Sequence, residues 1–254
     1  MAVNRRQLNA EGKYVGMRPE PRKGIDPDVP VLRAVRPDGT VRAVLFGHAC
    51  HPTTMGGHEI GPDFPGFARD WIEAAYPGAE AIFLQGCGGD IKPRYSLPNG
   101  TFGYVLIDAK QTVAEIGHEL GRAVVTATCL PPPKLGTYLG GLSDTAGLPT
   151  TKKVEDTPEG GLFPTEVQVL RIGDVYIVGM NGEILVEYGL RIKRELPDMK
   201  MWVNGYSNRD LSYVANAAAF AEGGYEVTVG WTTAGAEDIL VNKAIELTRR
   251  LAEE

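Results

Sequence analysis

From Val31 onward the chain reads as short β-rich apolar runs, separated by turns and by longer stretches with helical spacing. VLRAV and VRAVLFG flank the turn-forming tetrapeptide Pro37-Asp38-Gly39-Thr40, which predicts a hairpin. The second run exits into polar residues, His48 to Thr54, and a Gly-rich loop leading to Asp63, which is expected to cap a helix closed by Pro77-Gly78. AIFLQ predicts a strand over 81–85 that runs into Gly86-Cys87-Gly88-Gly89-Asp90, followed by a long loop with Pro93, Pro98 and Asn99-Gly100. Asp108 precedes apolar positions at Val113, Ile116, Leu120, Val124 and Ala127, the i, i+3, i+4 spacing of an amphipathic helix that Pro131-Pro132-Pro133 stops.

An extended segment is expected near 134–142, then an acidic loop over 152–161. EVQVLRI and VYIVGM, around Gly173-Asp174, predict a second hairpin, whose second strand feeds through Asn181-Gly182-Glu183 into a helix reaching about Leu196. WVNGY predicts one more strand, and an amphipathic helix runs from about Ala236 to Leu251. Residues 1–30, broken by Pro19, Pro21, Pro27 and Pro30, predict an irregular arm, with one domain over 31–254.

The 254 residues carry a net charge of −6, with 43% hydrophobic and 23% charged side chains, an ordinary globular composition. No basic run is longer than a pair such as Arg5-Arg6, which argues against a nucleic-acid partner. No run approaches the roughly 18–20 apolar residues of a membrane span, and the start lacks the apolar stretch of a signal peptide. A cytoplasmic location is the expectation for the chain as written, an extracytoplasmic one if a segment precedes it. Cys50, Cys87 and Cys129 are widely spaced with no CxxC, which predicts buried thiols rather than disulfides or a cysteine zinc knuckle.

Several strand-like runs end in chemistry-bearing residues: VLFG at His48 and His51, FLQ at the Gly loop and Asp90, IVGM at Glu183, WVNGY at Asn208 and Tyr213. Ligand crevices of α/β sheets lie at the carboxyl ends of strands, so these exits could converge, although strands commonly end in polar residues. His48 and His51 would face opposite ways on a strand, so a shared metal is not expected. His51 before Pro52 suits a ligand in a loop, but a lone His is more often structural. Glu183 at a helix start reads either as a carboxylate favoured by the helix dipole or as a metal ligand or base. The Gly loop lacks the GxxxxGK[ST] and GxGxxG patterns, no GxSxG elbow occurs, and Cys87 with His51 is a conceivable thiol nucleophile and base.

The segments His51-Pro52-Thr53-Thr54-Met55-Gly56-Gly57, Pro62 to Ala68 and FLQGCGGDIKPR resemble the catalytic domain of neutral/alkaline (non-lysosomal) ceramidases and their smaller bacterial relatives. Asn181-Gly182-Glu183 with Gly189-Leu190-Arg191, and Gly205-Tyr206-Ser207-Asn208 followed by Ser212-Tyr213-Val214 and Gly224-Tyr225-Glu226, extend the likeness towards the C-terminus. The resemblance implies an α/β fold of mixed β-sheets with flanking helices, represented in part, and a zinc amidase whose metal is held by two His, a Glu and a Tyr. By position in the motifs, His51 matches the second His, Glu183 the Glu and Tyr213 the Tyr. Asp63 and Asp90 would either take part in catalysis by orienting the ligands or serve as caps. A small or lipid-like N-acyl substrate follows.

Two departures bear on that expectation. The segment like Thr-His-Thr-His-Ser-Gly that holds the family's first His has no counterpart here, and the family's Gly-Asp-Val-Ser-Pro-Asn appears as Gly89-Asp90-Ile91-Lys92-Pro93-Arg94. Lys92 stands where the family has a catalytic serine, which argues against ceramide as the substrate. The alternative is a non-catalytic domain that keeps the fold without turnover.

Overall fold

A computed structural model describes residues 1–56, 58–94, 109–131, 133 and 135–254. The expected loop through Pro98 and Asn99-Gly100, and the Asp108 expected to open the second helix, lie outside these residues.

The first 30 residues are not an irregular arm. They carry the short strands β1 (Ala2–Asn4), β2 (Arg6–Leu8) and β3 (Tyr14–Met17), and Asn4, Arg5 and Arg6 are buried. Long-range pairing and ion pairs supply the order that the proline-rich sequence lacks locally. The hairpin at Val31 forms as expected from β4 (Val31–Val35) and β5 (Val41–His48). Helix α1 (Asp63–Ala75) then crosses to β6 (Glu80–Gln85), which pairs parallel with β5 in a sheet ordered β4-β5-β6. The Gly-rich loop leads into β7 (Ile91–Pro93), antiparallel to β1, and α2 (Ala109–Cys129) packs on α1.

The second half is built on β8 (Leu139–Pro149), β9 (Leu162–Ile172) and β10 (Val175–Met180). The extended segment expected near 134–142 therefore starts later and runs further, because it pairs with β9 along its whole length. After β11 (Glu183–Ile184) and α3 (Val186–Glu195), β12 (Lys200–Asn204) joins β10 in parallel, giving the order β12-β10-β9-β8. The chain continues through β13 (Tyr213–Val214), α4 (Ala217–Glu222), α5 (Tyr225–Val229) and α6 (Ala236–Ala252).

Each half has its own apolar core. Phe46, Phe64, Ile72, Ile91, Leu120 and Val124 fill the first, and Leu148, Val169, Val178, Leu240 and Leu247 lie in the second. Helix α3 serves both: Val186 and Leu190 face the first core, Tyr188 and Ile192 the second. The two parallel pairs, β5–β6 and β10–β12, meet at their carboxyl ends through a bridge between Gly86 and Asn204.

Candidate functional site

Four side chains converge where these strand ends meet. His51 Nε2 lies 2.8 Å from Glu183 Oε2 and 2.8 Å from the Tyr206 hydroxyl, with the Tyr213 hydroxyl at 3.5 Å. Tyr206 Oη also donates to Glu183 Oε2 at 3.1 Å. The convergence of strand exits expected from the sequence holds for His51, Glu183 and Tyr213, and it includes Tyr206 as well. His48 takes no part, because its ring turns away to the Asp28 carbonyl.

Local backbone contacts explain the geometry. His51 leaves β5, and its Nδ1 faces the Gly88 carbonyl at 2.6 Å and the Ile91 carbonyl at 3.2 Å. Two acceptors at Nδ1 assign the ring proton there, so in the neutral ring the Nε2 lone pair points into the cluster. Glu183 is not at a helix start as expected. It sits on β11, paired in parallel register with Tyr213 on β13, three residues before α3 begins. That ladder sets the carboxylate and the phenol side by side.

Two glycines make the close approach possible. Gly182 has φ +87°, and a Cβ there would lie 2.8 Å from the Ser212 carbonyl. Gly89 donates to the Ile184 carbonyl at 2.8 Å, and a Cβ on it would come within 2.6 Å of the Glu183 carbonyl.

Asp63 and Asp90 are buried and make no hydrogen bond to the cluster among the described residues; both hold backbone. Asp63 accepts from Thr54 N and Met55 N at 2.9 Å and from Phe64 N at 2.8 Å, fixing the loop that follows His51. It is the first residue of α1, with φ +47°, rather than the cap expected before the helix; Pro62 precedes it. Asp90 accepts from Asn4 Nδ2 at 2.8 Å and from Val186 N at 2.9 Å, so it joins the N-terminal strand to the start of α3. Burial raises its pKa despite those donors.

Arg5 is a site residue with no local signal in the sequence. Its guanidinium lies 5.3 Å from the centroid of the Tyr213 ring and 5.8 Å from that of Tyr225, and its Nε donates to Glu226 Oε1 at 2.8 Å. Arg5 Nη2 is buried with no hydrogen-bond partner among the described residues. Tyr206 was equally hard to single out: its only signal is the motif Gly205-Tyr206-Ser207-Asn208, whose strained turn, with Tyr206 at φ +53°, appears only in three dimensions.

The electrostatics follow from burial. Burial drives the Tyr206 phenol well above its ordinary pKa, and Glu183 adds to the rise. Burial also raises Tyr213, against the pull of Arg5. At Glu183 burial pushes upward, but the facing His51 ring and the hydroxyls of Tyr213 and Tyr206 outweigh it and hold the carboxyl below its usual value. The thiols of Cys50 and Cys87 are forced strongly upward by burial, which removes the thiolate a cysteine nucleophile would need.

The donor set suits a borderline cation such as zinc: one imidazole nitrogen with its other nitrogen tethered to carbonyls, one ionised carboxylate, and phenol oxygens. With Nδ1 protonated, Nε2 and Glu183 Oε2 are two acceptors 2.8 Å apart, a contact that a shared cation or proton relieves. No cluster of three or more His, Cys, Asp or Glu at metal-holding spacing exists among the described residues. A cavity of about 660 Å³, lined by Val31, Leu32, Leu130, Val175 and Met201 among others, lies at the amino-terminal ends of β10 and β12 and contains none of these residues.

Comparison with known proteins places the fold. No family model matches the chain. Neutral ceramidase of Pseudomonas aeruginosa is 26% identical over an alignment covering 90% of this chain and 47% of the relative. A crystal structure of neutral ceramidase from that organism superposes with a TM-score of 0.76 at 18% identity, covering 99% of this chain and 50% of the other. A ceramidase complexed with C2 gives a TM-score of 0.76 at 18% identity, covering 99% and 52%. The chain thus has the mixed α/β fold of about half of a ceramidase chain, and it spans about half the length of the relative it matches.

Proposed function

We propose that this chain carries the amide-hydrolysing site of a ceramidase-like enzyme, with His51, Glu183 and Tyr213 as zinc ligands and a lipid-like N-acyl compound as substrate. The observation that carries this reading is the meeting of His51 Nε2 with Glu183 and two phenols, while Nδ1 is tethered to backbone carbonyls. Similarity to neutral ceramidase supports it. When bound, zinc would supply Lewis acidity, polarising a carbonyl and bringing the pKa of water towards about 7.

In the net reaction, water adds to the amide carbonyl carbon, the C–N bond breaks and the proton passes to the departing amine, leaving a carboxylic acid and an amine. The residues here have definable parts in that chemistry. Tyr206, kept protonated by burial beside Glu183, can turn its hydroxyl toward the oxygen on which charge develops. Arg5 Nη2 is a second donor with no competing partner among the described residues. Asp63 and Asp90 hold the loop after His51 and the start of α3 in place.

The test is metal analysis combined with turnover of a fluorogenic N-acyl amide. Purified protein should bind about one zinc ion per chain, lose activity to a chelator and regain it with zinc, and His51→Ala and Glu183→Ala should lose both metal and turnover. Metal-free protein whose activity is unchanged in both variants would sink the reading. A second reading, a domain without turnover, is favoured by Lys92 at the position of the family's serine and by a ligand set with a single imidazole. It predicts zinc-independent thermal stability and no turnover at any zinc concentration.

A further inference from the structure

Tyr206 stands closer to the imidazole than Tyr213 does. Its hydroxyl lies 2.8 Å from His51 Nε2 and 3.1 Å from Glu183 Oε2, whereas the Tyr213 hydroxyl is 3.5 Å from the same nitrogen. His51 Nε2, Glu183 Oε2 and Tyr206 Oη thus form a small triangle, its third side the 2.8 Å from nitrogen to carboxylate. With the ring proton on Nδ1, the one proton on these three atoms is the phenol's, and it serves one of the two acceptors at a time. Three lone-pair atoms drawn this close with one proton among them make a better wall for a cation than a finished hydrogen-bond network.

The backbone holds Tyr206 in that place. Its φ of +53° is left-handed, a conformation that a residue other than glycine keeps where its surroundings enforce it. The enforcing contacts run to the segment that carries Glu183: Tyr206 N donates to the Gly182 carbonyl at 2.9 Å, Ser207 N to the Met180 carbonyl at 3.1 Å, and Gly182 N to the Arg209 carbonyl at 3.0 Å. Two interlocked turns therefore set phenol and carboxylate side by side. The other ligating side chains nearby are engaged elsewhere. His48 turns to the Asp28 carbonyl, Asp63 and Asp90 hold backbone N–H groups, and the thiols of Cys50 and Cys87 face the His51 and Val203 carbonyls.

A tetrahedral ion with ligands at about 2.0–2.2 Å keeps neighbouring donors about 3.3–3.6 Å apart. The Tyr213 hydroxyl already has that spacing from His51. The Tyr206 and Glu183 contacts reach it by opening less than about 1 Å.

We propose that Tyr206 is a metal ligand of this chain, completing with His51, Glu183 and Tyr213 a four-donor shell of one nitrogen and three oxygens. Each phenol that binds gives its proton to solvent, so two phenolates and a carboxylate surround the ion. Oxygen-rich, anionic shells suit harder cations than imidazole-rich ones do. The site therefore accepts ferric ion as well as zinc, because three negative charges neutralise a trivalent ion and overcompensate a divalent one. The inference rests on the metal-site part of the reading above. It describes the protein without substrate; a phenol that substrate displaces is free for the hydrogen-bond role given to it there.

The test loads metal-free protein with ferric nitrilotriacetate, and separately with zinc, and compares the wild type with Tyr206→Phe and Tyr213→Phe. Phenolate bound to ferric iron gives a visible charge-transfer band, so absorbance per retained iron counts the bound phenols, which affinity alone does not. The wild type should retain about one iron per chain and be coloured, and each variant should lose about half of the absorbance per iron. An absorbance per iron unchanged in Tyr206→Phe means that Tyr206 only orients Glu183, and it overturns the assignment even where affinity falls. Zinc uptake without iron uptake, or a colourless ferric protein, overturns it equally. Retention of neither metal by the wild type sinks the metal reading itself, and the ligand assignment with it. Should Tyr206→Phe fail to fold or to hold iron, the ultraviolet difference spectrum of the wild type on zinc binding decides: ionisation of both phenols is the expected result, and ionisation of a single phenol overturns the proposal.

Discussion

At His51 the two ring nitrogens face different chemistry, and this division makes the residue a ligand candidate rather than a structural histidine. Nδ1 is held by the Gly88 and Ile91 carbonyls, while Nε2 meets Glu183, Tyr206 and Tyr213. Such tethering fixes ring orientation and tautomer, and its loss in metal sites commonly costs about 10–100-fold in affinity or activity. Tyr206→Phe removes the hydroxyl that faces both His51 and Glu183, so zinc affinity measured by competition with a chromophoric chelator should fall by a factor of about 10–100, with the fold intact by circular dichroism. The cysteines give a separate test. Cys50 and Cys87 are buried with thiol pKa values pushed up, while Cys129 is exposed at the end of α2. Alkylation of the folded protein with iodoacetamide should label Cys129 alone, as read by peptide mass spectrometry, and should leave any turnover unchanged. Of these residues, His51, Glu183 and Tyr213 were legible in the sequence through the motifs around them. Tyr206 and Arg5 were not, because nothing local distinguishes a buried phenol or guanidinium from an exposed one.

Among the elements, the two-residue ladder between β11 and β13 matters more than its length suggests. It fixes Glu183 beside Tyr213, and the Gly-rich loop after β6 packs against it through the Gly89 N–H. Gly89→Ala would drive a methyl to 2.6 Å from the Glu183 carbonyl, so either the loop or β11 must shift. The expected outcome is loss of metal binding with a destabilisation of about 1–3 kcal/mol, measured by urea denaturation; unchanged zinc affinity would contradict the packing role. The strands of the two hairpins, helix α1 and helix α6 were all legible from apolar periodicity. Strands β11 and β13 were not, since two residues carry no period, so the sequence around Glu183 predicts a helix start instead.

Over the whole molecule, the N-terminal segment is bound to the last third of the chain by buried charge. Arg6 is fully buried and donates to Glu226, to Glu222 Oε2 at 3.0 Å and to the Gly223 carbonyl at 2.6 Å, while Arg5 takes the other Glu226 oxygen. Removing one member of a buried ion network leaves the others unpaired, at a cost of about 3–5 kcal/mol. Glu226→Gln should therefore lower Tm by roughly 10 °C for a chain of this size, in a calorimetric scan. Glu20 gives the pH counterpart. Hydrogen bonds from Arg22 hold its carboxyl down at about 2, from an ordinary 4.5. A folded-state pKa lowered in this way stabilises the fold above the ordinary value, and that contribution is lost as the pH falls through the folded one. Glu20→Gln should accordingly melt below the wild type at pH 7, with the gap closing between pH 4.5 and about 2; a gap independent of pH would refute the ion pair's contribution.

The linear sequence determined what depends on neighbours along the chain. Apolar period, turn residues and helix stops set the hairpins and the long helices, and three ligand candidates came from short motifs. Tertiary structure alone decided what depends on distant partners. The proline-broken first 30 residues are ordered because β1 finds β7 and Arg5 and Arg6 find Glu226, more than two hundred residues away. Local preference is a property of adjacent residues, whereas register between strands and the burial of charge are set only when the chain has closed on itself.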